Sequence, residues 1–279
     1  MHTSSKHSFR NKIIKRNNVH VFGEGEIPIL FAHGFGCDQN MWRFITPDFE
    51  QNFRIILFDY VGSGNSDISA YRSNRYNSLD GYVQDVLDII EALDLNDVIF
   101  VGHSVSSIIG ALASIKKPHC FKSLLMIGPS PFYLNEPPEY HGGFEPEVIN
   151  ELLDLMKKNY IGWANVMASQ IMQNEDAPEL NRELEESFCS TDPVIAHEFA
   201  KVTFFSDNRD DLPLIKVPTL ILQCEDDSIA PKNVGKYMQS NINRSTYKSI
   251  PVNGHCPHLT HPEKVIPVID NYLRKLLKE

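Results

Sequence analysis

Short runs of β-branched and aromatic residues recur along the chain at 27–32, 54–58, 98–101, 123–127, 219–223 and 245–250. Within them ILFA, IILF and LILQ are apolar without alternation, which predicts strands buried on both faces of a parallel sheet. Between the second and third runs, Leu79, Tyr82, Val83, Val86, Ile90 and Leu93 fall at helical spacing. They predict a crossover helix ending in a turn near residues 94–97. Strands alternating with helices in this way define an α/β protein with a mostly parallel sheet.

The alternation stops at residues 129–214. A stretch rich in Pro, Gly and Tyr, PSPFYLNEPPEYHGGF, is followed by helical patterns near 148–159, 162–173, 180–188 and 193–205, and no strand-like run interrupts them. An all-helical insertion between two strands is expected to lie as a lid over the carboxyl edge of the sheet, where such folds bind ligands. Residues 1–128 and 215–279 then form the core, and 129–214 the lid.

With 279 residues and 42% hydrophobic positions, the chain can bury one sizeable core. A net charge of −10 with scattered Lys and Arg supplies no basic surface for nucleic acid. No stretch has the apolar length of a membrane span or the hydrophobic region of a signal peptide, so a soluble cytoplasmic protein is expected. Cys37, Cys120, Cys189, Cys224 and Cys256 are odd in number and widely spaced, which argues for reduced thiols rather than disulfides or a zinc site.

The candidate chemistry begins at Gly102-His103-Ser104-Val105-Ser106, where a buried strand meets a helix. Gly-x-Ser-x-Gly in that setting is the elbow that presents a nucleophilic serine, and here Ser106 replaces the final glycine. Ser104 needs a base, and the base an orienting carboxylate. The acid falls in LQCEDDSIAP: Asp227 is preferred over Asp226 and Glu225, because Ile229 and Ala230 can pack behind it and Pro231 can open the next helix. The base falls in NGHCPHLTHP, where His255 follows the flexible Asn253-Gly254 pair and His258 and His261 are rivals. Three nearby histidines invite a metal reading, but Pro257 and Pro262 break helical ligand spacing. An oxyanion hole would combine the Val105 N–H with that of Phe35 in His33-Gly34-Phe35-Gly36. The Gly-x-Gly in DYVGSGNSD lacks the rest of a dinucleotide fingerprint and reads as a turn.

These elements, in this order, resemble the α/β-hydrolase superfamily. HGFGCDQNMW, FDYVGSGNSD, GHSVSS, NYIGW, CSTDPVIAHEF, FFSDNRDDL, LQCEDDSIAP and GHCPHLTHP are similar, from about residue 18 to 276, to the RsbQ-type bacterial stress-response regulators. They are more distantly similar to the plant karrikin and strigolactone receptors. The resemblance implies an α/β-hydrolase fold with a four-helix lid over an apolar pocket, and a triad of Ser104, Asp227 and His255. It implies a pocket wall of Phe35, Phe132, Trp163, Met167 and Phe204, beside Val105. It further implies that the protein supports a PAS-domain serine phosphatase that activates the general stress sigma factor. Ser106 departs from the glycine of the bacterial pattern, which bears on rate rather than fold.

The expected function is therefore hydrolysis of a small hydrophobic ester, lactone or similar acyl compound, without metal or organic cofactor, nucleic acid or membrane partner. The alternative is a slow-turnover ligand sensor whose lid is the signalling surface. A dehalogenase would want a carboxylate where Ser104 stands.

Overall fold

Each of the six apolar runs is a strand, and a seventh joins them at the edge. A computed structural model describes residues 2–174 and 177–278. In chain order its elements are α1 (His2–Arg16), β1 (His20–Phe22), β2 (Pro28–Ala32), β3 (Arg54–Leu57), α2 (Ser73–Tyr76), α3 (Leu79–Ala92), β4 (Val98–His103), α4 (Val105–Lys116) and β5 (Phe121–Ile127). Then come β6 (Asn135–Glu136), β7 (Tyr140–His141), α5 (Pro146–Lys158), α6 (Tyr160–Met172), α7 (Pro178–Ser190) and α8 (Pro193–Phe205). The chain returns through β8 (Thr219–Asp226), α9 (Lys232–Asn241), β9 (Ser245–Asn253), α10 (Pro257–Thr260) and α11 (Pro262–Leu276). The sheet order is β1-β3-β2-β4-β5-β8-β9, parallel except for β1 on β3.

Unbroken apolar runs are explained by burial from both sides. Ile29, Phe31, Ile99 and Val101 face a core shared with α11 and the lid helices. Leu30, Ala32, Val98 and Phe100 face the opposite core with α3, α4 and α9. At roughly 1.5–3 kcal/mol per large side chain, these layers supply the main stabilisation of the sheet.

Two expectations change in detail, and one element is new. The short pair β6 and β7 is antiparallel and interrupts residues 129–214, where no strand was expected. Pro231 caps α9 instead of occupying its first position. The polar start of the chain forms α1, whose Ile13 enters the core beneath α3. The DYVGSGNSD segment is a turn closed by Asp59, which accepts from the Gln39 and Asn65 backbone N–H groups and from Asn18 Nδ2 at 2.8–3.0 Å.

Candidate active site

The turn between β4 and α4 fixes the serine. A side chain at Gly102 would bring Cβ within 2.6 Å of the Ser106 carbonyl oxygen, so the next-to-last residue of the strand must be a bare glycine. Ser104 has φ 56° and ψ −125°. That conformation costs a non-glycine residue about 1–3 kcal/mol and is held by the strand and helix on either side. Its result is a buried Oγ facing the loops after β8 and β9.

The β8 loop supplies Asp227. Its Oδ1 accepts the Ile229 and Ala230 N–H groups at 2.9 Å each, leaving Oδ2 for the histidine. Glu225 and Asp226 are exposed at the strand end. Sequence order alone left Asp226 open; the hydrogen bonding separates it from Asp227.

The β9 loop supplies His255. Gly254, at φ +90°, passes so close to α6 that a Cβ would come within 2.3 Å of the Met172 carbonyl oxygen. The next N–H, of His255, donates to the Ile171 carbonyl at 2.7 Å, tying the ring's backbone to the lid. His255 Nδ1 donates to Asp227 Oδ2 at 2.8 Å, so Nε2 is the acceptor for the Ser104 hydroxyl, also at 2.8 Å. This is the hydrogen-bond chain by which a carboxylate orients an imidazole and the imidazole takes a serine proton.

The two rival histidines stand elsewhere. His261 Nδ1 meets Thr260 Oγ1 at 2.9 Å. His258 is fully buried against Trp42, and burial lowers its pKa to about 3, with smaller contributions from His255 and Arg43. His103 is also held neutral, mainly by burial and next by His258. Its Nε2 donates to the His255 carbonyl at 2.9 Å, linking the residue before the nucleophile to the base.

Val105 opens α4, so its N–H lies among those a helix leaves unbonded at its start. Phe35 occupies the Gly-rich loop after β2 and lines the cavity above Ser104. Ser106 joins this loop to the elbow: its Oγ donates to the His33 carbonyl at 2.5 Å and accepts from Tyr60 OH at 3.0 Å. His33 is fixed in turn, with Nδ1 donating to the Gly34 carbonyl at 2.8 Å and Nε2 accepting the Tyr60 N–H at 3.2 Å. Burial lowers the His33 pKa, which suits an imidazole that must keep accepting.

Above Ser104 lies a narrow cavity with about 30 Å3 of space for water-sized molecules. That holds about two waters at roughly 10–15 Å3 each, so an ester enters only when the lid shifts. Phe35, Met167 and Phe204 line it. Phe132 and Trp163 do not. Phe132 turns outward to stack on Tyr140 with Arg209 over its ring, while Trp163 packs behind Phe35 and Phe188.

The residue pointing inward from the first of these segments is Tyr133, which sequence reasoning missed. Its hydroxyl donates to Ser104 Oγ at 3.2 Å. Thr203 on α8 also lines the wall. Cys37 and Cys256 border the cavity with thiol pKa values raised above the ordinary range, first by burial, so neither competes as nucleophile. Cys37 and Leu184 also border an outer depression of about 230 Å3 that includes Asp38, Glu183 and Glu186. There α7 is fastened by Ser187 Oγ to the Gly36 carbonyl at 2.8 Å and by a paired Arg43–Glu183 contact at 2.7 Å.

No helix among the described residues is long and apolar enough to cross a membrane. The family described as the alpha/beta hydrolase family matches residues 29–268. The chain is 36% identical to strigolactone esterase D14 of Arabidopsis thaliana, over 96% of this chain and 98% of that protein. It is 35% identical to karrikin insensitive 2 receptor CA of Petunia hybrida, over 91% and 94%. A solved hydrolase from Oleispira antarctica superposes with a TM-score of 0.93 at 48% identity, covering 95% of this chain and 97% of that one. Sheet order, elbow and full-length similarity agree, and the chain belongs to the α/β hydrolase family.

Proposed function

We propose that the protein is a serine hydrolase that cleaves a small, largely apolar ester or lactone. The observation that carries this reading is the unbroken chain Ser104 Oγ, His255 Nε2, His255 Nδ1, Asp227 Oδ2, with both contacts at 2.8 Å. Ser104 Oγ attacks the acyl carbon as its proton passes to His255 Nε2. The oxyanion that forms takes the Phe35 and Val105 N–H groups. The C–O bond to the leaving alcohol breaks, and that oxygen receives the proton from His255. Water then attacks the acyl-serine, gives its proton to His255, and the acid departs as Ser104 regains its hydrogen.

The test is hydrolysis of p-nitrophenyl acetate combined with mass spectrometry after a fluorophosphonate. Wild type is expected to turn over the ester and to gain the adduct on Ser104; Ser104→Ala and His255→Ala should each lose at least ~10³-fold in rate. Turnover surviving His255→Ala would refute the assignment of the base.

A second reading is favoured by the small volume of the cavity and by relatives named as receptors: a slow sensor in which one acyl transfer or ligand capture sets the lid. Its finer form, a cytoplasmic regulator that supports a PAS-domain serine phosphatase of the general stress sigma-factor pathway, is supported by the sequence segments resembling RsbQ-type proteins. Phosphatase activation retained by Ser104→Ala would show that ligand capture alone carries the signal. Activation lost with ligand binding retained would assign the signal to turnover.

A further inference from the structure

Thr203 is 4% exposed, lines the cavity above Ser104, and its Oγ1 has no hydrogen-bond partner. Several hydroxyls within or capping helices bond back to the carbonyl four residues earlier: Ser206 to Val202 at 2.6 Å, Ser240 to Lys236 at 3.1 Å and Thr260 to Cys256 at 3.2 Å. Thr203 does not take the corresponding bond to Phe199. A valine of the same shape would fill the site without an unmet hydroxyl, so threonine is a stability cost at a buried, otherwise apolar wall.

The other polar side chains of the cavity, His103 apart, are already engaged. Tyr133, Ser104 and His255 bond in sequence, ending at Asp227. The other unpartnered atom of the lining, His103 Nδ1, is covered by the Gly34 backbone, where a Cβ would come within 2.5 Å. Among the described residues, no Lys, Arg, Asp or Glu lines the cavity. A free hydroxyl on an uncharged cavity wall suits a neutral ligand oxygen.

We propose that Thr203 is a specificity determinant, and that the cavity takes compact, uncharged acyl compounds carrying a second hydrogen-bonding oxygen besides the reacting carbonyl. This rests on the hydrolase reading above for its site and deepens it by naming the substrate class. The hydroxyl both donates and accepts, so an ether, a hydroxyl or a second carbonyl each meets it.

The test uses p-nitrophenyl esters in pairs of equal size: methoxyacetate against butyrate, and 3-hydroxybutyrate against 3-methylbutyrate. Each kcat/KM ratio is divided by the ratio of hydroxide-catalysed rates. Wild type is expected to favour the oxygen-bearing member of at least one pair by about 5–10-fold, the size of one neutral hydrogen bond. Thr203→Val should bring that ratio to about one, whereas Ser206→Ala, whose hydroxyl is spent on its own helix, should leave it alone. Ratios that Thr203→Val does not change, or no preference in wild type, would overturn the proposal. Should wild type hydrolyse none of the four, the hydrolase reading falls separately. The same preference is then read from Trp163 fluorescence on titrating the methyl esters into Ser104→Ala protein. Thr203→Val in that background must abolish it, and retention of the preference overturns the proposal.

Discussion

Two buried aspartates show how one fold uses a carboxylate for opposite purposes. Asp85, on α3, lies against Arg75 Nη2 at 2.8 Å and Arg16 Nη2 at 3.1 Å, and accepts from Tyr76 OH at 3.0 Å. It pins α1 and α2 to α3 through partners that keep their protons. Burial raises its pKa, and the two guanidinium groups oppose that shift. Asp227 has no guanidinium. Two backbone N–H groups hold one oxygen, and the other faces a single imidazole whose far nitrogen meets a hydroxyl. Permanent partners make a clamp, whereas one titratable partner leaves a proton free to move.

The strongest way to break this comparison is to exchange the carboxylates for amides. Asp227→Asn keeps the shape but favours the wrong imidazole tautomer, so kcat should fall by about 10⁴-fold with the melting temperature nearly unchanged. Asp85→Asn should do the reverse. It strands two cations near the core and should cost about 3 kcal/mol, roughly 5–10 °C in melting temperature, at the lower end for a buried pair because Asp88 still faces both arginines. Hydrolysis per folded molecule should stay near wild type. Equal losses of stability in the two variants would erase the distinction.

A third buried group sharpens it. His258 has neither a charged partner nor a hydrogen bond on either ring nitrogen, and its folded pKa of about 3 lies below the ordinary 6.5. The unfolded chain therefore binds a proton that the folded chain refuses. Stability is full above pH 6.5 and is lost as pH falls toward 3. At pH 5 the loss from His258 is about 2 kcal/mol relative to pH 7. Denaturant melts between pH 5 and 7 should show it, and His258→Phe, which keeps a ring against Trp42, should flatten the slope. An unchanged slope would place the acid sensitivity elsewhere, with His103 next.

The strands and the hydrogen-bonded set of Ser104, His255 and Asp227 were legible because each leaves a periodic or ordered trace: apolar runs such as ILFA, and serine, acid and histidine each after its strand. The wall of the cavity was not. Phe132 and Tyr133 are neighbours in an irregular loop, where no period says which side chain faces inward, and the structure turns Tyr133 to Ser104 and Phe132 to Tyr140. Trp163 lies on the correct helix but one layer behind Phe35. The three exposed residues of β1 and the two-residue strands β6 and β7 are too short to carry alternation. Thr203 reads as one more helical residue until its hydroxyl is found without a partner.

Ser106 gives the smallest effect, at the point where the clamp meets the reactive site. The turn after β3 touches both regions: the Val61 N–H reaches Asp85 Oδ2 at 3.4 Å, and Tyr60 OH reaches Ser106 Oγ at 3.0 Å. Ser106 then holds the His33 carbonyl, two residues before the Phe35 N–H. A glycine would fit the turn but would leave Tyr60 OH without this acceptor and the His33–Phe35 loop untethered. Ser106→Gly should therefore lower kcat by about 3–10-fold through a less fixed oxyanion donor, with KM little changed. Ser106→Ala should match it, because both lose the hydroxyl. An alanine variant at wild-type rate would mean that the serine merely fills the turn, and that the loop is held by His33 and its bonds to Tyr60 and Gly34.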